Sequence, residues 1–151
     1  MNDPAKSLWQ ALGSGLLGAT VLTVVHETAR HLIAEAPRAD ILGMRAIRKV
    51  MDKTDARQPD DDTLHTWALG GDLVANTVYY SLIGLASPRY ALLTGTALGL
   101  AAGAGAVALP GPMGLGTAPS QRTTATAAMT VGWYLLGGLA TAGVYTLLKR
   151  R

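Results

Sequence analysis

The sequence predicts an all-α, polytopic membrane protein: a four-transmembrane-helix bundle with a charged, amphipathic helical segment between spans 1 and 2. Three observations carry that fold class. Charged residues make up 15% of the 151 residues and apolar ones 49%, whereas about a quarter of a soluble domain is charged. The apolar residues are blocked into uncharged runs instead of being spread along helical stripes. One run, residues 90–109 (YALLTGTALGLAAGAGAVAL), is twenty residues without a charge. At about 1.5 Å per residue it is long enough to cross a hydrocarbon core of about 30 Å. The mean hydropathy of +0.24 is modest only because one polar segment dilutes it. By length the chain is one domain, residues 1–151.

The first span is residues 7–25, SLWQALGSGLLGATVLTVV, with Trp9 where an interfacial anchor belongs and small residues paired at a spacing of four. It has the length of an uncleaved span, and the preceding MNDPAKS lacks the basic n-region of a signal peptide. Residues 26–66 then carry eight acids, seven Lys or Arg and all three histidines. Pro37 divides this polar helical loop. Residues 26–36 continue the first helix, and residues 38–53 set Ile41, Leu42, Met44, Ile47, Val50 and Met51 at helical intervals between basic residues. Such a basic amphipathic helix lies in the headgroup plane or packs on the mouth of the bundle. QPDDD, residues 58–62, is a loop that caps the next helix at Asp62 or Thr63.

The second span is residues 67–86, WALGGDLVANTVYYSLIGLA, joined by the turn Ser87-Pro88-Arg89 to the third, so the two form a helical hairpin. In the third span Gly95, Gly99 and Gly103 recur every four residues and share one face. That small-xxx-small pattern lets a neighbouring helix approach backbone to backbone, within one protomer or between two. A Pro/Gly loop over residues 110–121 leads to the fourth span, residues 125–148, which ends in Lys149-Arg150-Arg151. Four spans put both termini on one side. The dense KRR cluster, with no acid beside it, places that side in the cytoplasm. The count of eight Lys or Arg on the opposite side pulls the other way.

Asp72 is the most informative polar residue. A carboxylate at the centre of a span costs about 2.5–3.5 kcal/mol on insertion scales. It therefore faces the bundle interior, holds a proton or finds a partner. Asn76 lies four residues on, hence on the same helix face. Glu27 and Arg30 close the first helix on the same membrane side, so Glu27, Arg30, Asp72 and Asn76 form a candidate polar binding cluster. It would serve as a proton relay, a cation site or a polar headgroup contact; the plainer alternative is that it fixes packing. His26, His31 and His65 are the candidate ligands of a metal-dependent alternative. The string HETARH is not the HExxH zinc motif, because its histidines are five apart and about 140° separated around a helix. No catalytic residue set is assigned.

Absence of cysteine removes disulfides, thiolate nucleophiles and Cys-ligated zinc or iron–sulfur sites. No cofactor motif is present. The net charge of +3 comes from basic residues interleaved with acids or placed at a terminus, so no nucleic-acid partner is expected.

The layout also resembles a known group. It runs from a short first span, through a polar segment with HET and APRAD, to a span opening GGDLVANTVYY, a Gly-rich span, a loop with PMGLG and a last span ending in basic residues. On Glu27, the Pro37-Arg38 step, Pro112-Met113-Gly114-Leu115 and Trp133, the chain resembles the YagU-like small bacterial inner-membrane proteins. That resemblance implies an inner-membrane location with termini inside and supplies no catalytic residues. The expected function is a small-solute or proton-handling factor, or an accessory subunit of a membrane complex, with no catalytic motif. The alternatives are a membrane-embedded metal-dependent enzyme and an oligomeric scaffold. The expected partners are the lipid bilayer and either copies of itself or other subunits of a membrane complex.

Overall fold

Helix α1 (Pro4–Leu32) runs unbroken from the first apolar run through His26, since nothing between them breaks a helix. The computed structural model describes residues 4–150. Residues 1–3 and Arg151 of the terminal basic cluster lie outside the described residues. Pro37 disfavours helix at the residue before it, and the chain turns back into α2 (Ala39–Lys53), with Asp40 in its first turn.

Helix α3 (Asp61–Ser81) is capped by Asp60, whose carboxylate accepts the Thr63 N–H at 2.8 Å. The cap thus falls before the expected Asp62 or Thr63, because Asp60 is the acid spaced to reach the third amide of the helix. Its α-helical part stops at Ser81, short of the expected residue 86. A 3-10 turn (Leu82–Leu85) follows, and Ser87 is extended ahead of Pro88. A second 3-10 turn (Pro88–Tyr90) leads into α4 (Ala91–Ala108). The Pro/Gly loop holds one short helix, α5 (Ala118–Gln121), where the sequence has no helical periodicity. Helix α6 (Thr124–Lys149) is capped by the Thr123 hydroxyl on the Thr126 amide.

The described residues are all-helical. Three segments are long and apolar enough to cross a membrane: Ala5–Leu32, Pro88–Ala108 and Thr124–Lys149. The expected second span is not among them, because α3 carries Asp61, Asp62, His65, Asp72 and Asn76.

The helices pack in the order α3, α1, α6, α4. A Cβ on Gly15 of α1 would lie 2.5 Å from the Thr77 carbonyl of α3, and one on Gly18 would lie 2.6 Å from the Gly137 carbonyl of α6. Gly95, Gly99 and Gly103 of α4 are buried against α6 of the same chain. Added Cβ atoms there would sit 2.5 Å from the Gly138 carbonyl oxygen, 2.7 Å from Leu135 Cα and 2.6 Å from Val131 Cα. The glycine face is therefore covered within the protomer and is not free for a second copy. The expected hairpin is corrected in the same way. Residues 67–86 and 90–109 are joined by a tight turn, but α3 and α4 do not pack along their lengths. The small residues that permit close approach face α6 instead.

The bundle buries hydroxyls among its apolar core residues and leaves large apolar side chains on its outside. Ser14, Thr130 and Thr141 are buried, and each hydroxyl donates to a carbonyl of its own helix. Leu8, Trp9, Leu16, Leu17, Leu92 and Leu93 are exposed. An exposed apolar surface around buried hydroxyls that bond their own helices suits a hydrocarbon surrounding.

One end is fastened by long-range hydrogen bonds. The Arg38 N–H donates to the Pro119 carbonyl at 2.8 Å, the Arg122 guanidinium to the Ala34 carbonyl at 2.6 Å, and the Thr126 hydroxyl to the Glu35 carbonyl at 2.8 Å. Helix α2 lies across the N-terminal end of α3, with Gly43 against Ala68 and none of its residues fully buried. It is packed on the mouth, the second of the two expected placements.

Candidate functional site

Where α1 leaves the bundle, its last turns meet the start of α2 and the first half of α3 around a small polar cavity. Glu27 and Arg30, three residues apart on α1, pair at 2.9 Å. The N-terminus of α2 adds Asp40, whose side chain is 5% exposed. Arg38 grips both Asp40 oxygens, at 2.9 and 2.7 Å, in the two-pronged geometry that suits a planar guanidinium. Arg30 lies 3.8 Å from the same carboxylate. His65 of α3 completes the ring, with Nε2 3.9 Å from Glu27 and Nδ1 3.9 Å from Asp40.

Burial alone would raise the Asp40 pKa. The Arg38 hydrogen bonds and charge, the Ile41 N–H and the Arg30 charge outweigh it and hold Asp40 below the usual carboxylate range. Hydrogen bonding to Asp40 raises Arg38 in turn. The outer ring is thus a fixed, mutually neutralising set of charges.

Inside that ring the groups are unpaired. The cavity, of about 20 Å³, is bordered by Thr23, His26, Glu27, Arg30, Asp40 and Asp72. His26 is 6% exposed, its ring edge-on to Trp133 at 5.1 Å and Tyr134 at 5.8 Å between centroids. Neither of its ring nitrogens has a hydrogen-bond partner, and neither does the Thr23 hydroxyl. Asp72 has no ion-pair partner among the described residues. Its support is the side chain of Asn76, one turn further along α3. A buried polar atom without a partner costs about 1–3 kcal/mol, so several around one small volume mark a place built for a polar occupant. That volume matches one water-sized group, which needs about 10–15 Å³.

Of the residues singled out in the sequence, Glu27, Arg30 and Asp72 line this cavity. Asn76 is buried just beyond it, facing the space between α3 and α4. The proposed metal ligands do not converge: His26 is sandwiched by aromatic rings, His31 faces outward and His65 belongs to the outer ring. Among the described residues no three His, Asp or Glu side chains are grouped to hold a metal ion. Sequence reasoning missed Asp40, Arg38 and Thr23. Asp40 had a readable signal, an acid in the first helical turn after a Pro-Arg step, where the helix dipole favours it. Thr23 had none, because a threonine on an apolar helix ordinarily bonds its own backbone.

Comparison with protein-family models, curated proteins and solved structures finds no match for this chain.

Proposed function

We propose that this chain is a four-span protein of a bacterial cytoplasmic membrane that handles protons at Asp72 and His26, without covalent chemistry. The observation that carries it is the water-sized cavity bordered by an unpaired carboxylate, an unpartnered imidazole and an unpartnered hydroxyl. Ionisable groups at membrane depth are expensive and are kept where an ion or proton passes.

In this scheme a water in the cavity links the Asp72 carboxyl to a His26 ring nitrogen, with the Thr23 hydroxyl orienting it. Asp72 takes up a proton as its charge is neutralised, and the water passes a proton to or from the imidazole. Glu27 and His65, half-buried at the rim, border the way from the cavity to the aqueous side. Arg30 and Arg38 are committed to Glu27 and Asp40, which leaves Asp72 free to titrate. The fourth span is α3, which packs along α1 and turns Trp67, Val74 and Val78 outward. Both termini are cytoplasmic in this scheme, and the site opens on the opposite face.

The test is proton flux into proteoliposomes with a trapped pH-sensitive dye under an imposed potassium diffusion potential. Wild-type protein should acidify or alkalinise the lumen according to the sign of the potential. Asp72→Asn, which keeps the size and the Asn76 contact, should slow the flux by about an order of magnitude, as expected for loss of an ionisable relay group. Equal rates for the variant and the wild type would remove the proposal.

A further inference from the structure

The fourth side of the bundle, between α3 and α4, is open. The slot there has a volume of about 530 Å³, with Ala75 and Tyr79 on one wall, Ala102 and Ala106 on the other, and Tyr134 of α6 as its floor. Through Ala75 and Tyr134 it continues into a further volume of about 350 Å³ under α2, bordered by Ile47, Trp67 and Leu115. At the opposite end the Tyr79 hydroxyl donates to the Leu98 carbonyl at 3.0 Å, joining α3 to α4. The slot is thus open under α2 and bridged toward the 82–90 turn. A helix, about 10–12 Å across with its side chains, does not fit beneath that bridge. A flexible hydrocarbon chain does.

The open end carries charge that nothing in the described chain neutralises. Arg45 and Lys49, four residues apart on α2, are both exposed. Arg30, Arg38 and Arg48 of this end are paired with acids, and Arg122 is turned to the Ala34 carbonyl, away from the slot. Among the described residues Arg45 and Lys49 have no carboxylate within ion-pair distance. Arg45 donates to the Leu115 carbonyl at 2.7 Å, and Lys49 donates to the Met113 carbonyl. Leu115 and Met113 also border the slot, so the two cations are tethered to its rim. Gly114 and Gly116 hold this loop with φ of +70° and +81°, a conformation that side chains resist. A Cβ on Gly116 would lie 2.7 Å from the Arg45 guanidinium.

Two uncompensated cations above an apolar, tapering slot match one chemistry, a phosphate head on a hydrocarbon tail. We propose that the slot between α3 and α4 binds one acyl chain of an anionic phospholipid, whose phosphate is held by Arg45 and Lys49. Arg45 supplies the planar fork that fits two phosphate oxygens, and Lys49 a compact charge. Basic groups beside a bilayer draw anionic lipids in this way. Asp72 borders the part of the slot under α2 as well as the cavity beside α1, so the two sites meet at that residue, while Thr23 and His26 border the cavity alone.

The test uses protein with Trp9→Phe and Trp133→Phe, leaving Trp67 at the slot as the only indole, in detergent micelles. Phosphatidylglycerol and phosphatidylcholine, each brominated on the acyl chain, are titrated in separately. Phosphatidylglycerol should quench Trp67 saturably, at concentrations about tenfold lower than phosphatidylcholine requires, the scale expected when two basic groups face an anionic head. Arg45→Gln with Lys49→Gln should bring the two lipids level. Ala102→Phe should block quenching by both, and soluble glycerol phosphate should not compete. The double Gln variant loses the bonds to the Leu115 and Met113 carbonyls along with the charge, so unchanged quenching by phosphatidylcholine is its check that the slot is intact, and it decides the matter even if Ala102→Phe does not fold. Equal quenching by both lipids in the parent, a preference that survives loss of both cations, or competition by glycerol phosphate would overturn the proposal. Thr23→Ala, at a residue that borders only the α1-side cavity, should slow the flux and leave the quenching unchanged, which separates this result from that of the flux experiment.

Discussion

Asp40 shows how much one turn of chain decides at the scale of a residue. It is held by Arg38 through two hydrogen bonds and approached by Arg30 and His65, so its carboxylate is stabilised as the anion. A carboxylate whose folded pKa is depressed adds stability above its unfolded pKa of about 3.9 and loses it as pH falls through the lower folded value. Unfolding of the purified protein in detergent, followed by circular dichroism, should therefore show a loss of stability below about pH 4. Asp40→Asn should lower stability at neutral pH and flatten that acid limb. Arg38→Gln should cost on the order of 1–2 kcal/mol, the lower part of the range for hydrogen bonds to charged groups, because Arg38 is partly exposed and screened. A variant as stable as the parent at pH 7 would mean that the pair carries no weight.

At the scale of the element, the glycine stripe of α4 sets a close backbone approach to α6. Gly95, Gly99 and Gly103 meet backbone atoms of α6, and backbone cannot swing aside as the end of a side chain can. Gly99→Leu should destabilise the bundle by about 1–3 kcal/mol or more, the usual cost of overpacking, measured as a lowered midpoint of unfolding in mixed micelles. The oligomer size should not change, since the face is already occupied by α6. An altered elution volume with unchanged stability would instead put that stripe between protomers. Spacing alone predicted a close-packing face here, but its partner was not legible. Helices α1 and α6 also offer small residues at a spacing of four, and only the arrangement of the helices gives α4 to α6.

The placement of α3 is a property of the whole molecule, and its role as a fourth span is our proposal. Its composition is too polar to qualify as a span by itself, yet it packs along α1, one of the three segments that do qualify. The chain has no cysteine, so single cysteines report cleanly. Ala56→Cys before α3 and Ser87→Cys after it should react with a membrane-impermeant maleimide from opposite sides of sealed vesicles. Labelling of both from one side would leave α3 on the surface and the chain with three crossings. The slot depends on the same arrangement, because it exists only where α3 and α4 part company.

The amino-acid sequence by itself determined that the chain is helical, where its third and fourth apolar segments begin and end to within two residues, and that a polar patch including Glu27, Arg30 and Asp72 gathers at one end. These follow from local causes: uncharged length, proline and glycine punctuation, and helical spacing. Only the tertiary structure decided which helix the glycines serve, that Asp40 folds back over α1, that His26 and Thr23 have no partners, and that α3 and α4 leave a slot between them. Each of these depends on residues far apart in the chain meeting in space, and no pattern along the chain encodes such a meeting directly.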